Sequence, residues 1–553
     1  MKLTGYISQY LNHRIPEIAK IALLILVYFF FDNLLFFTFH NGFVGTFSAI
    51  LERLQIDSQW LSAVPYHGDS ILLESLKNPV VLLVFLLITL TAVIGWKSQN
   101  WHEIEFGKTL RVFAIGICMV LAWSYAFYDF NYYLNEQHLL DRILIVVLVG
   151  LVAWKPAFIP FFLALCLLVL SQFSYPFSAS LLDKRLLFNI LTMIWVFILL
   201  YPRFNFKTVH LVFLILCLHG SNYFFAGFTK ISIGPGLYEW VVENDLWMHA
   251  VYSQSKGWLT FLDSGTAEGI LKIMKDWNQL FLVVSLLIEL LPLTLLLFNR
   301  RWAVICLLSF DLLHLGIFFE SGIFFWKWII LNLLIIFLIR KLNGDQIKQL
   351  FSKRYYAMSL VVIVCGFIYF KPVTLGWWDT RTNESYSIEL ELEDGAVKAL
   401  RMNDMAPYDM FFTFSRFSFL NPHKALLSNA HVTQDYELYQ ALRDVDLKGF
   451  KALSAGGTSR FDGETSSTFD QFIQQSFLNL NQQITEGWDP VSLSAPNHIY
   501  TKFFSQDQPF FKFDQRIAKV RVRYRQMFYF RGTIHTVQDE VIRTIAIPEK
   551  SLD

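Results

Sequence analysis

The sequence predicts a polytopic α-helical membrane protein that carries a C-terminal soluble α+β domain rich in strand. Hydrophobic residues make up 54% of the chain and charged residues 16%, whereas an ordinary soluble domain carries about 25% charge. The apolar residues fall into blocks of about 17 to 22, each long enough to cross roughly 30 Å of hydrocarbon as a helix. After Gly376-Trp377-Trp378-Asp379 the pattern changes to strand-like alternation.

Eleven blocks qualify as spans, near 20–39, 79–96, 110–131, 142–154, 157–174, 185–202, 208–229, 278–298, 302–319, 321–339 and 356–372. Together they predict a membrane region over 1–375. The block 142–154 is short and ends at Lys155-Pro156, so it reads either as a span or as half of a broken helix. No short apolar core with a small-residue cleavage site is seen at the N-terminus, and the first span is expected to stay as an anchor. Cys118, Cys166, Cys217, Cys306 and Cys365 all lie inside apolar blocks without CxxC spacing. Neither a disulfide nor a zinc site is expected from them. A net charge of +1 gives nucleic acid no footprint, and the expected partner is the lipid bilayer.

Lys and Arg in short loops favour the cytoplasmic side. Placing Lys2, Arg14 and Lys20 there also places Lys97, Lys108, Arg111, Lys155, Arg203, Lys207, Arg300, Arg301 and the run Arg340 to Arg354 there. On that assignment segments 41–78 and 231–276 and the domain 376–553 face outward, into the periplasm of a bacterium or the ER lumen of a eukaryote. Segment 236–276 carries Tyr238, Trp240, Val241, Trp247, Trp258, Leu259 and Phe261 among polar residues. That pattern predicts short interfacial helices, capping the bundle or simply anchoring it by its aromatic residues.

In the soluble domain Tyr386, Ile388, Leu390 and Leu392 alternate with Ser387, Glu389, Glu391 and Glu393 before Asp394-Gly395, which predicts a hairpin over 385–402. Val520, Val522 and Tyr524 alternate with Arg521, Arg523 and Arg525; a further strand is predicted over 541–547, after a turn near Arg531-Gly532, and helices over 433–444 and 467–481. The arginine row reads as a solvated strand face or as a seat for an anionic peptide or headgroup. No nucleophile–base pair, phosphate loop or metal cluster is legible in this domain. Recognition of a peptide or protein partner, or support, is its expected role.

Ionisable residues inside spans are costly and point to function. His219, Asn222 and Lys230 recur near multiples of the helical turn and are expected on one face, while Ala226 and Gly227 allow close approach of a neighbouring helix. A lysine held against such a wall loses hydration, and its neutral amine is the form that acts as a base. Snorkelling to the headgroups is the plain alternative for Lys230, and an interhelical hydrogen bond for His219. Glu289, Asp311 and His314 are candidates to pair with Lys230 or to line a cavity, while Asp311 and His314, at i and i+3, can equally satisfy each other.

The stretch Tyr223 to Ser232 (YFFAGFTKIS), the segment with Trp240 and Trp258, the ELLPL helix at Glu289 and the stretch Asp311 to Trp328 (DLLHLGIFFESGIFFWKW) together resemble the vitamin K-dependent γ-glutamyl carboxylase superfamily. Its bacterial relatives are called horizontally transferred transmembrane (HTTM) domain proteins. The resemblance centres on residues 180–340. It implies Lys230 as a base toward reduced vitamin K or another membrane quinol, with O2 and CO2 as co-reactants. His219 and His314 would assist, and Asn222, Glu289 and Asp311 would line the site. Two departures stand out: the place of an Asn-His motif reads Asp183-Lys184-Arg185-Leu186-Leu187, and Thr229 replaces the first of two adjacent lysines. Two other readings are a non-catalytic membrane protein whose outward domain binds a partner and, with no inverted repeat in the sequence, a transporter.

Overall fold

The computed structural model of the protein describes residues 16–39, 70–96, 99–128, 131–173, 175–177, 183–259, 261–405, 407–408, 411–412, 415–428, 430–485, 495–500 and 509–549. Lys2, Arg14, Lys97 and most of segment 41–78 lie outside them.

All eleven apolar blocks contain helix, but among the described residues seven helices are long and apolar enough to cross a membrane. They are Glu17–Phe39, Gly107–Ala126, Pro156–Phe173, Arg185–Phe204, Thr208–Ser232, Asn278–Leu295 and Arg300–Ser321. The other blocks give shorter helices: Pro79–Gly95, Leu139–Trp154, Trp326–Lys341 and Lys353–Val364. At about 1.5 Å per residue these are marginal for the hydrocarbon thickness, which is why the apolar blocks overstate the number of full-length spans. Asn78 caps Pro79–Gly95 by accepting from Val80 and Val81 N–H, with proline at the first turn.

Lys155-Pro156 proves to be a turn between two antiparallel helices. The Tyr128 ring lies 4.5 Å from that of Phe173, and Arg142 donates to the Tyr128 carbonyl. The start of Leu139–Trp154 and the end of Ile159–Phe173 therefore share one end of the bundle. Lys155 itself is extended (φ −138°, ψ 131°) and donates to the Trp96 carbonyl at 2.9 Å.

Contacts among the described residues define two ends of the bundle. At one end Lys20 donates to the Asn205 carbonyl (3.3 Å), Glu17 meets His210, Gln346 donates to Glu105 (2.9 Å), and Arg300 to the Arg340 carbonyl (3.2 Å). At the other end Arg185 binds Asp32 at 2.5 Å and Lys371 donates to Asn33 at 2.6 Å. The C-terminal domain sits on this second end.

That domain is built on a twisted antiparallel sheet. The strands β1 (Trp378–Leu392), β2 (Val397–Ala399), β6 (Ile517–Phe530) and β7 (Thr533–Ala546) run in the order β2-β1-β6-β7, and β4 (Ala430–Thr433) pairs with the first part of β1. A small separate pair joins β3 (Lys424–Ala425) to β5 (Thr458–Ser459). The hairpin at Asp394-Gly395 is present, with Gly395 at φ +82°. The last strand begins at Thr533 rather than Val541, because Arg531-Gly532 (φ +49° and +85°) forms a two-residue turn directly after β6. Tyr386, Ile388, Leu390 and Leu392 face a core completed by Phe469, Phe472, Ile473 and Phe477 from the helix Gly463–Thr485. The bundle reaches into this core: Phe177 stacks on Phe411 at 4.5 Å, and Asn479 donates to the Tyr132 carbonyl at 2.6 Å. The arginine row is neither free nor merely solvated. Arg521 binds Glu391, Arg523 binds Glu389 (2.6 Å) and Asp539 (2.8 Å), and Arg525 binds Asp539 (3.2 Å). Cross-strand carboxylates thus fill the places an anionic ligand would take.

Gly532→Val places a β-branched residue at a left-handed position, which costs about 1–2 kcal/mol. The expected result is a lower melting midpoint of the detergent-solubilised protein, measured by size-exclusion after graded heating, with no change for Gly463→Ala, whose helix-start position has nothing packed closely against it.

Candidate functional site

The helix Thr208–Ser232 is the axis of the bundle: 94% of its apolar window is buried, against 17% for Asn278–Leu295 beside it. A central helix exposed to neighbours on all sides can hold polar groups only where each neighbour supplies a partner. Thr208, His210, His219, Ser221, Asn222, Tyr223 and Lys230 each find one.

Lys230, 8% exposed, donates to both oxygens of Glu289 at 2.6 and 2.7 Å. It does not snorkel. Gly227 makes the contact possible, since a Cβ there would lie 3.0 Å from the Glu289 Cβ and 3.1 Å from Leu290. The Trp240 ring covers the ammonium, its centroid 5.0 Å from Nζ. Thr229 turns its hydroxyl back to the Phe225 and Ala226 carbonyls, and Gly376 packs on the Thr229 backbone so closely that a Cβ would come within 2.8 Å. The segment leading into β1 is thereby held beside Lys230.

Deeper in the bundle His219 Nε2 meets the Asn332 amide oxygen at 2.6 Å, and Asn332 donates to Asp311 at 2.6 Å. His314 Nε2 meets the Tyr223 hydroxyl at 2.7 Å, and the Tyr223 ring stacks on Phe310 at 3.6 Å. Asp311 and His314 therefore do not satisfy each other. His219 lies eleven residues, about three turns, from Lys230 on the same face, and no hydrogen bond among the described residues joins either histidine to the Lys230–Glu289 pair. Asn222 faces elsewhere: its side chain donates to the Leu218 carbonyl and accepts from Val373 N–H. At three residues from His219 it sits about 60° off the common face, enough to meet a different neighbour.

Several contributors are invisible to spacing. Asn332 and Tyr223 complete the buried chains above. Asp183, at the place of the missing histidine motif, binds Lys327 at 2.6 Å. His498 arrives beside it from the C-terminal domain, its carbonyl accepting from Phe324 N–H at 2.7 Å. Burial holds the His498 imidazole down at about 4, against the pull of Asp183. Outward of Lys230, His249, Asp379 and His431 converge from three elements. The three tryptophans of the outward segment are anchored in protein and not in headgroups: Trp240 donates to the Trp377 carbonyl, Trp258 to the Phe319 carbonyl, and Trp247 packs on Tyr529. Tyr238 and Phe261 stay exposed.

Between the outward helices and the sheet lies an open cleft of about 630 Å³, lined in part by Lys275, Arg381, Arg443 and Arg531 together with Glu243 and Asp245. Arg443 reaches Glu243 at 3.7 Å.

No protein-family model, curated protein or solved structure matches the chain.

Breaking a buried ion pair from one side leaves an unmatched charge and costs about 3–5 kcal/mol, whereas replacing both partners by apolar residues is close to neutral. Lys230→Met and Glu289→Leu are each expected to lower the melting midpoint in detergent, and the double variant to recover most of the loss. Additive losses would mean that the two side chains do not form a pair.

Proposed function

We propose that the chain is an integral membrane enzyme that abstracts a proton from a lipid-phase substrate, with Lys230 as base and Glu289 as its proton store. The observation that carries this reading is the buried Lys230–Glu289 contact at 2.6 Å. Buried ion pairs seldom repay their desolvation in stability, so one held against a glycine wall beneath a tryptophan points to chemistry. In the arrangement with the proton on Glu289, the Lys230 amine is free to accept another from a substrate hydroxyl.

A membrane quinol fits the surroundings. Glu289 sits on a helix several of whose residues, Leu280, Phe281, Val284 and Leu287 among them, are exposed, so a lipid-soluble hydroxyl would have to pass one helix to reach the pair. Reduced vitamin K, as in the carboxylase and HTTM superfamily that the sequence resembles, would supply the acidic hydroxyl and the oxidisable ring, with O2 and CO2 as co-reactants. The eleven-span arrangement, with the basic end cytoplasmic and the C-terminal domain in a bacterial periplasm or the ER lumen, belongs to the same proposal. On it the lipid-phase centre and the aqueous cleft lie on one side of the molecule.

The cleft supports a second reading, that the outward domain binds a peptide. Lys275, Arg381, Arg443 and Arg531 against Glu243, Asp245 and Asp276 leave the cleft lining one net positive charge, which favours an acidic peptide, either as the substrate of the enzyme or as the ligand of a non-catalytic receptor.

Membranes containing wild type or Lys230→Ala, given reduced vitamin K, oxygen, labelled bicarbonate and glutamate-containing peptides, test the enzyme directly. Quinone epoxide from wild type alone is expected, and label in the peptide would make the chain a carboxylase. Neither product from well-folded wild type would end the vitamin K reading. For the cleft, Arg443→Glu combined with Arg531→Glu is expected to weaken binding of a polyglutamate-rich peptide at least tenfold by fluorescence anisotropy; unchanged affinity would place the peptide elsewhere.

A further inference from the structure

We propose that His249, Asp379 and His431 form a binding site for one divalent first-row transition-metal ion of the zinc class. The three residues come from different parts of the fold. His249 lies on the helix Trp247–Ser255 of the outward segment, Asp379 on β1 and His431 on β4. Their ligand atoms lie within 4.8 Å of one another. His249 Nδ1 is 3.7 Å and His431 Nε2 3.4 Å from Asp379 Oδ1. Tetrahedral bonds of about 2.0–2.1 Å set ligand atoms roughly 3.4 Å apart, so two edges of the coordination polyhedron are already close to that length.

Burial makes this more than a chance approach. Asp379 is 1% and His431 4% exposed. Asp379 Oδ1 and His431 Nε2 are sealed from solvent without a hydrogen-bond partner, although they face each other. Orphaned buried polar atoms are costly, and a bound cation would satisfy both together. Asp379 is oriented by hydrogen bonds, as metal sites require of a carboxylate ligand, and His431 by ring packing, its Nδ1 being buried without a hydrogen-bond partner. Asn244 holds the other carboxylate oxygen by donating to Oδ2 at 2.8 Å, and accepts from Asp379 N–H at 2.7 Å. Tyr252 stacks on the His431 ring, centroids 5.5 Å apart, and donates to the Arg381 carbonyl. The rings of His249 and His431 stand edge to face at 4.6 Å.

Two imidazoles and one carboxylate suit zinc, cobalt or iron rather than calcium or magnesium, and three protein ligands leave a position open. Glu320, at the outward end of Arg300–Ser321, lies within electrostatic reach of His249 and Asp379 and has a buried, unpartnered Oε1. It is not one of the three residues whose ligand atoms converge, and its carboxylate adds negative charge near the site. Local charge is then Asp379 and Glu320 against the nearby ammonium of Lys256, which burial alone brings down to about 8. None of this depends on Lys230 being catalytic. Because its ligands join an outward helix to the sheet, the ion would also clamp the C-terminal domain to the bundle.

The test uses full-length protein purified through a tag without histidine, stripped with chelator and titrated with Co2+ and with Zn2+. Wild type and Lys230→Met are expected to take up one ion per chain, with the visible absorption of four-coordinate cobalt, and to resist proteolysis between residues 376 and 553 better when loaded. His431→Ala and Asp379→Asn are expected to weaken binding at least a hundredfold. His249→Cys guards against a folding defect: it should rebind cobalt with a new thiolate-to-metal absorption band. Failure of wild type to bind stoichiometrically, or binding unchanged in His431→Ala, would overturn the site and leave only a histidine–aspartate ion pair.

Discussion

Three buried charge pairs join separate segments of the bundle, and the need to keep them matched constrains how it is assembled. Arg185 binds Asp32, Lys327 binds Asp183, and Lys230 binds Glu289. Each pair spans a large sequence separation and leaves neither charge facing hydrocarbon, where it would cost several kcal/mol. Apolar packing alone is permissive about which helix lies where, since lipid tails are as apolar as leucine. A charged pair is not permissive: one register satisfies it and a slip of a turn exposes it. The three pairs all lie toward the end that carries the C-terminal domain, while the opposite end is held by caps and carbonyl contacts such as Lys20 with Asn205.

The outward layer follows from this frame. Lys230 ends the buried part of the central helix, Gly376 packs on Thr229 next to it, and β1 begins two residues later at Trp378. Trp378 stacks on Tyr439 at 4.8 Å, and the Tyr439 hydroxyl reaches the Glu243 carbonyl. Trp240, which covers Lys230, donates to the Trp377 carbonyl at 2.8 Å. The C-terminal domain is thus continuous with the bundle through shared tryptophans. The core contact of Phe177 with Phe411 adds a second attachment on the far side.

Much of this architecture is legible in the sequence because it rests on periodicity. Apolar blocks mark the helices, alternation marks β1 and β6, and Asp394-Gly395 and Arg531-Gly532 mark their turns. Lys230 and Glu289 are visible as charges in the wrong solvent, and Gly227 as the reason they can meet. Their pairing is less legible, since nothing in spacing distinguishes Glu289 from Asp311 as the partner. Asn222 misleads, because a three-residue step is read as a shared face although 60° suffices to change neighbours. The count of spans is only partly legible for a related reason: a composition threshold sees apolar content but not where a helix stops, and Trp326–Lys341 and Lys353–Val364 are shorter than the seven helices of full spanning length among the described residues. His249, Asp379 and His431 are illegible, being separated by 130 and 52 residues and brought together only by tertiary structure.

The lipid-side and water-side features are joined by one short segment. Gly376 touches the backbone of Thr229 beside Lys230, and Asp379, three residues on, belongs to the His249–His431 cluster and to the wall of Asn244 that borders the cleft. Any movement of this segment shifts both neighbourhoods, because Gly376 has no room to give on one side and Asp379 is held by both its backbone and side chain on the other. A substrate dissolved in the bilayer would approach from the Asn278–Leu290 side, and a soluble one from the cleft. The fold brings them toward a common strand start without requiring either to cross the bundle. On the proposed reading, that arrangement would let a lipid-phase reactant and an aqueous one meet without either passing between the helices that these buried ion pairs join.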